Sequence, residues 1–417
     1  MAEKIGAYAA LGIRDFRFFI MARQCATLAI QIQATIVGWQ LYDITHDPLA
    51  LGLVGLTEAI PAITVSLYAG HIADIVARKK IILITVSLLL FCCLSLLFFT
   101  IEPGAFIIQH GVFPIYLVIF LSGLARGFLS PANFSFMPQL IPRHLYGNAI
   151  SLNTTFWLVA SIVGPMLAGF IYAWIGISAS YAVGAVLAIA ALGFYAAIPS
   201  RPVPPASDEQ GVRQKIKSGL KFVMKTQIIL GAISLDMFAV LFGGAVALLP
   251  IFAAEILEVG PQGLGMLRAA PALGAVLMAL YISHNPIQRS TGKVMLISVA
   301  GFGASMVGFG LSTSFIFSLC MLMLSGMFDS ISMIIRSTLI HTRTPENMKG
   351  RVSAVNSIFI GSSNEIGAFE SGVTAKLMGA VASVVFGGAM TLLTVGITAW
   401  KARELTQLDQ LDSEEEN

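Results

Sequence analysis

Twelve stretches of mostly apolar residues follow one another along the chain, each close to the roughly 20 residues that a membrane-spanning helix needs. They run over approximately 16–42, 48–76, 80–101, 112–140, 149–174, 178–198, 226–254, 262–284, 291–312, 314–341, 351–376 and 379–400. Polar residues gather in short connections, with one long exception. Residues 199–225 open on Arg201-Pro202-Val203-Pro204-Pro205 and become a basic, weakly amphipathic run from Gln214 to Lys225. The pattern predicts an all-α polytopic membrane protein with twelve transmembrane helices. It divides into an N-terminal six-helix half (1–198), a linker with a short surface helix (199–225), a C-terminal six-helix half (226–400) and an acidic tail (401–417). The first apolar stretch exceeds the core of a cleavable leader, and no small-residue cleavage site follows it, so it is expected to be retained.

Composition supports lipid as the main solvent. Of 417 residues, 56% are hydrophobic and 11% charged, against about 25% charged in soluble domains; mean hydropathy is +0.83. The net charge of +3 is too small to suggest a nucleic-acid partner. Twenty of the 25 Lys and Arg residues fall at the two termini or in the connections near 78–80, 143, 201–225, 289–293 and 343–351. By the positive-inside rule these faces, and so both termini, are expected to be cytoplasmic. The four cysteines lie in apolar stretches without metal-ligand spacing, so neither a metal nor a disulfide framework is expected.

The halves carry a repeat. A shift of 213 residues places Leu51-Gly52 on Leu264-Gly265 and Lys80 on Lys293. A shift of 203 places Leu121-Ser122-Gly123 on Leu324-Ser325-Gly326, and pairs Asn153 with Asn356, Gly164 with Gly367 and Gly169 with Gly372. Two pseudo-symmetric six-helix halves are therefore expected, as parallel repeats in transporters are.

The connection after the second stretch reads Gly70-His-Ile-Ala-Asp74-Ile-Val-Ala-Arg78-Lys79-Lys80. It resembles the signature loop of the major facilitator superfamily, with Ala77 in place of an inner glycine. A glycine there lets helices approach, and a carboxylate can hold a helix end or a basic partner. The fifth stretch contains Gly164-Pro165 and Gly169 in an order similar to the antiporter motif of exporters in that superfamily, with two glycines replaced by alanine. Pro165 removes a helical hydrogen bond and bends the span. Further phrases (Ser130-Pro131-Ala132-Asn133, Met137-Pro138, Gly350-Arg351, Gly361 through Asn364) resemble the exporter group that contains enterobactin-type siderophore exporters and macrolide efflux proteins. The resemblance spans nearly the whole chain. It implies a proton-driven antiporter of the bacterial cytoplasmic (inner) membrane, with a central cavity lined by spans 1, 4, 7 and 10. A small amphipathic cargo, of siderophore or drug-like kind, is the partner, alongside protons and the lipid bilayer; no cofactor is expected, and the chain is expected to be a monomer.

Ionisable groups inside the bilayer cost at least ~2.5–3.5 kcal/mol each on insertion scales, so they face a cavity or one another. Nine stand out: Arg23, Glu58, Arg126, Asp236, Arg268, Asp329, Arg336, Glu365 and Glu370. The repeat places Arg23 on Asp236 and Arg126 on Asp329, bases in one half against acids in the other. These four are expected to line the cavity and form ion pairs across the halves, with Gln24 and Gln31 offering hydrogen bonds to cargo. A static alternative pairs Asp329 with Arg336 along one helix. Glu58, Glu365 and Glu370 form a second candidate proton site, with Glu58 and Glu370 as neighbours; the alternative for Glu365 is a hydrogen-bonded structural group near Asn364. A symport-type importer or lipid flippase would share the fold. An embedded enzyme is disfavoured, because no His-Glu-x-x-His helix, nucleotide-binding glycine loop or Cys/His cluster is present.

Overall fold

The computed structural model describes residues 8–101, 105–202, 212–287, 290–346 and 348–408. The middle of the linker and the acidic end of the tail lie outside the described residues. All regular structure among the described residues is helical. The first half supplies α1 (Arg14–Thr45), α2 (Pro48–Ile75), α3 (Arg78–Ile101), α4 (Phe113–Phe136), α5 (Tyr146–Ile175) and α6 (Ile177–Ala197). The linker carries α7 (Val212–Lys225). The second half supplies α8 (Gln227–Phe242), α9 (Gly260–His284), α10 (Thr291–Gly310), α11 (Phe315–Arg343), α12 (Lys349–Met378) and α13 (Ala380–Lys401).

Among the described residues, ten helical spans are long and apolar enough to cross a membrane. Helices α1 and α12 are as long as the others but more polar. Arg23, Gln24, Gln31 and Gln33 lie along α1, and Asn356, Asn364, Glu365 and Glu370 along α12. The stretch expected as one helix over 226–254 is instead interrupted. After α8 the chain breaks at Gly243-Gly244, then continues as a tight turn over Ala245–Leu248 and a widened turn over Phe252–Ile256. The cause is crowding: a Cβ at Gly243 would meet the Phe302 ring, and one at Gly244 would lie 2.9 Å from the Gly367 backbone. Glycine permits both approaches and favours neither helix nor strand.

Two compact units emerge, and they do not follow the sequence halves strictly. One holds Met1–Ile44, Thr57–Glu209 and Gly260–Gly265; the other holds Thr45–Leu56, Gln210–Val259 and Met266–Asn417. In the first, α3 packs on α4 and α6. Its core centres on the fully buried Phe16, Phe19, Phe136 and Tyr195; Phe19 meets the Phe136 and Tyr195 rings edge-on, each at 6.2 Å. In the second, α10 packs on α11 and α13, around Leu235, Met295, Ile335, Leu339 and Leu405. Helix α7 does more than lie on a surface. Its Val223 is buried with Ile229, Ile233, Ile340, Val352 and Val355, and Ser218 accepts a hydrogen bond from Arg351 at 3.2 Å.

Helix crossings recur at positions related by the sequence shifts. In the second unit α2 crosses α12 at Gly52 and Gly372, where a Cβ on Gly372 would sit 2.6 Å from the Gly52 Cα. In the first unit α9 meets α5 at Gly265 and Gly169, with 3.2 Å from a Gly169 Cβ to the Gly265 Cα. Gly265 is Gly52 shifted by 213, and Gly372 is Gly169 shifted by 203. The same holds within each half. Gly123 of α4 packs on the Glu58 carbonyl of α2, and its counterpart Gly326 of α11 packs on the Pro271 carbonyl of α9.

Candidate functional site

The first unit carries a narrow cleft beside α1, open to the outside and without room for a bound molecule in this conformation. Its lining is Ile20, Arg23, Gln24 and Thr27 from α1, with Asn153, Phe156 and Trp157 from α5. The spacing explains the grouping: on α1 the four residues stand at i, i+3, i+4 and i+7 and share a face, and on α5 Phe156 and Trp157 lie one turn beyond Asn153. The Thr27 hydroxyl donates to the Arg23 carbonyl at 2.8 Å. The Arg23 guanidinium has no carboxylate within ion-pair reach among the described residues. Asn153 Oδ1 is buried and has no hydrogen-bond donor among the described residues. Gln31 stands two turns beyond Gln24, but it is spent on packing: its Cβ would be 2.5 Å from a Cβ on Gly164. Gly164 therefore seats α5 on α1, and Gln31 is not in the cleft lining.

The expected ion pairs across the halves are not what this conformation forms. Arg126 pairs with Glu58, because α4 crosses α2 at Gly123 and Arg126 is the next turn along. Asp236 pairs with Arg336, not Asp329 with Arg336. Each pair lies within one sequence half and one compact unit. They differ in access: both side chains of the Asp236–Arg336 pair are 5% exposed, while Arg126 retains 38% and Glu58 15%. The Arg336 Nε and the nearby Ser332 hydroxyl, one turn away on α11, are buried without hydrogen-bond partners among the described residues. Arg336 stood among the nine membrane charges, but nothing in the sequence singled it out as Asp236's partner.

The remaining candidates sort as follows. Asp329 is half-buried on α11 with no ion-pair partner among the described residues. Glu365 turns toward α2, its Oε2 3.5 Å from the position of a Gly55 Cβ, and Asn364 bonds its own helix at the Ile360 carbonyl instead. Glu370 is half-buried on α12, and Glu58 is engaged by Arg126. Gly70 and Asp74 lie in the helical backbone of α2, and their side chains fall outside the described residues. Arg78 opens α3. Lys79 Nζ donates to the Ala196 and Ile198 carbonyls at 2.8 and 2.5 Å, so this base holds the negative end of the α6 dipole. Gly169 and the Pro165 carbonyl both face Gly265 of α9. The antiporter-like segment is thus a contact surface on two sides. Asn153 and Thr27 are site residues that sequence reasoning missed; the matching of Asn153 with Asn356 was the one available signal.

A further ion pair joins the end of one helix to the residue just before another. Lys376, in the last turn of α12, meets Asp47 at 3.0 Å, and the Leu49 N–H donates to Asp47 Oδ1 at 3.0 Å. Partial desolvation pushes the Asp47 carboxyl up, but the Lys376 ammonium and the Leu49 N–H outweigh it and hold the carboxyl below its ordinary value.

Comparison with known proteins covers most of this architecture. The family model of the Major Facilitator Superfamily matches residues 19–368. The enterobactin exporter EntS of Shigella boydii serotype 18 is 26% identical over 387 residues, covering 92% of this chain and 90% of that protein. Among solved structures, a POT family transporter in complex with 5-aminolevulinic acid superposes with a TM-score of 0.74 at 12% identity, covering 97% of this chain and 99% of that one. A bacterial homologue of the iron transporter ferroportin, in an inward-facing state, gives 0.71 at 14% identity, covering 95% and 99%.

Proposed function

Because this chain belongs to the major facilitator superfamily of membrane transporters, we propose that it exports a small amphipathic molecule across the bacterial cytoplasmic membrane in exchange for protons. In this reading α1–α6 and α8–α13 are twelve membrane helices in two pseudo-symmetric halves, both termini face the cytoplasm, and the monomer is the working unit. The polar faces of α1 and α12, which keep them out of the ten most apolar spans, then belong to a cavity rather than to lipid.

The observation that carries the reading is the sealed Asp236–Arg336 pair. A buried ion pair stabilises a fold weakly, because desolvation offsets most of the attraction; breaking it leaves an uncompensated charge at a cost of about 3–5 kcal/mol. Protonating Asp236 avoids that cost on the acid side and frees the guanidinium. A pair of this kind can therefore trade a proton for a change of helix packing, which alternating access requires. Asp329 and Glu370, half-buried without ion-pair partners among the described residues, are further proton carriers in the same reading. Export rather than import is favoured by the antiporter-like segment at Gly164, Pro165 and Gly169, and by relatives that are themselves exporters.

The test is counterflow in proteoliposomes with an imposed proton gradient, on wild type, Asp236→Asn and Asp329→Asn. Export coupled to protons predicts that the gradient drives cargo out of the cytoplasmic side, and that Asp236→Asn uncouples it. Unchanged gradient-driven transport in both variants would refute the coupling assignment. Accumulation in the opposite direction would indicate an importer.

A further inference from the structure

We infer that the segment after α13, residues 402–408, is a strap that seals the Asp236–Arg336 pair from water at the end of the second unit where the chain leaves it. The inference rests on the transport reading for its purpose, since that reading gives the pair a proton to exchange and makes this end cytoplasmic; the seal itself rests on packing. Helix α13 stops at Lys401, and Ala402 (φ −98°, ψ 63°) turns the backbone out of the helix. One helical turn over Arg403–Thr406 follows. It sends Leu405 and Leu408 into the unit, 0% and 7% exposed, while Lys401 and Glu404 stay exposed. Two glycines shape the seat. A Cβ at Gly292, at the start of α10, would collide with the Leu405 carbonyl. One at Gly231 of α8 would lie 3.2 Å from the Ala402 Cβ and 3.5 Å from Leu405 Cδ2. The Gly292 N–H also donates to the Leu408 carbonyl at 3.1 Å. Chain ends are poorly ordered unless something ties them down; here a backbone hydrogen bond and two buried leucines do so.

Helical periodicity puts the pair behind the strap. On α8, Asp236 shares a face with Ala232, Leu235 and Ala239; on α11, Arg336 shares one with Ser332, Ile335 and Leu339. Each set stands at i, i+3, i+4 and i+7. Leu235, Ala239, Ile335 and Leu339 belong to one buried cluster with Leu405 and Leu408, so these faces and the strap meet in the same interior. Asp236 is nine residues from the start of α8 and Arg336 seven from the end of α11, about 13 and 10 Å at 1.5 Å per residue. Gly231, where the strap touches α8, lies five residues nearer that end than Asp236. Leu405 therefore stands between the pair and the end of the unit. The nearest charges along α11, Asp329 and Arg343, are two turns away on either side, and Lys293 of α10 is exposed. Water admitted past Leu405 would first meet the Arg336 Nε and the Ser332 hydroxyl, which have no hydrogen-bond partners among the described residues and so gain from it. Docked, the strap keeps the pair dry; undocked, it opens a path for protons to Asp236.

The experiment reads thiol access in the full-length protein in nanodiscs, with the native cysteines replaced by serine and Ser332→Cys introduced. The probe is methanethiosulfonate ethylammonium, a small water-soluble reagent. With the strap intact the thiol should react slowly. Leu405→Ala should speed the reaction by about thirtyfold or more, the low end of what losing a buried leucine does to a local opening equilibrium. Ending the chain after Lys401 should do at least as much. Ser318→Cys, fully buried at the other end of α11, should stay slow in both variants, which shows that the unit is folded. In proteoliposomes loaded with a pH-sensitive dye, Leu405→Ala should leak protons, and the leak should vanish when Asp236→Leu/Arg336→Leu is added. Ser332→Cys labelling that is equally slow with and without the strap overturns the inference, as does a leak that survives loss of the pair. A protein whose strap controls labelling but which moves no cargo in proteoliposomes keeps the strap and loses the export reading; one that exports while its labelling ignores the strap does the reverse.

Discussion

Replacing Gly372 by alanine tests the most constrained helix crossing in the molecule. A Cβ there would sit 2.6 Å from the Gly52 Cα, 2.8 Å from its N and 3.0 Å from the Pro48 carbonyl. All three are backbone atoms, so no side chain can swing aside. Carbon contacts are comfortable near 3.5–4.0 Å, so α2 and α12 must separate by about 1 Å. Overpacking on this scale costs about 1–3 kcal/mol, which shifts a two-state equilibrium by roughly fivefold to over a hundredfold. The readout is the neighbouring Asp47–Lys376 contact, one turn from Gly372 along α12 and just ahead of α2. In a protein whose native cysteines are replaced by serine, Asp47→Cys and Lys376→Cys should be joined rapidly by a short bifunctional maleimide. Gly372→Ala should slow that joining by at least the lower factor. Gly193→Ala is the control, because a Cβ at Gly193 meets nothing within 4 Å. Equal joining rates in Gly372→Ala and Gly193→Ala would refute the claim that the glycine crossing holds these helix ends together.

Three further outcomes follow from the same geometry. Arg336→Leu should destabilise the protein by about 3–5 kcal/mol, with Asp236→Leu/Arg336→Leu recovering much of it; thermal unfolding in detergent checks both, and no recovery would mean the pair is not the cause. Lys79→Ala leaves the α6 carbonyls uncapped and should cost about 0.3–1 kcal/mol, seen as faster amide exchange confined to the end of α6. The Asp47–Lys376 contact is half in solvent and worth at most about 1 kcal/mol. Since the Asp47 carboxyl is held below its ordinary value, that contribution is complete above the ordinary carboxylate range and fades as pH falls below it. Joining rates at positions flanking the contact, measured from neutral pH downward, should show the loss in wild type and not in Asp47→Asn.

What could be read from sequence was what depends on a single helix or on a pattern repeated along the chain. The apolar stretches are helices because length and hydropathy decide that locally, and Gly52 and Gly169 stood out because each had a glycine counterpart. The break after α8 was hidden: Gly243-Gly244 is a turn signal, but the apolar residues around it read as one continuous span. Ion-pair partners were the largest miss. The opposite charges at equivalent positions in the two halves suggested pairing between halves, whereas Arg126 and Asp236 found Glu58 and Arg336 on neighbouring helices of their own half. A partner is set by which helices cross and where, and hydropathy carries no information about that. The cleft was half legible: Arg23 and Gln24 were visible as polar residues in an apolar stretch, but Asn153 became a site residue only once α5 was laid against α1.

The interruption at Gly243-Gly244 separates two helices that the repeat would make alike. Helix α1 runs unbroken from Arg14 to Thr45, so it acts as a stiff lever: displacing one end must displace the other. Its counterpart is jointed. The segment that carries Asp236 and the turn over Phe252–Ile256 can rotate about the two glycines one after the other. A stiff rod in one half and a jointed one in the other transmit a push differently. The joint lets the turn over Phe252–Ile256 shift without carrying the segment of Asp236 with it.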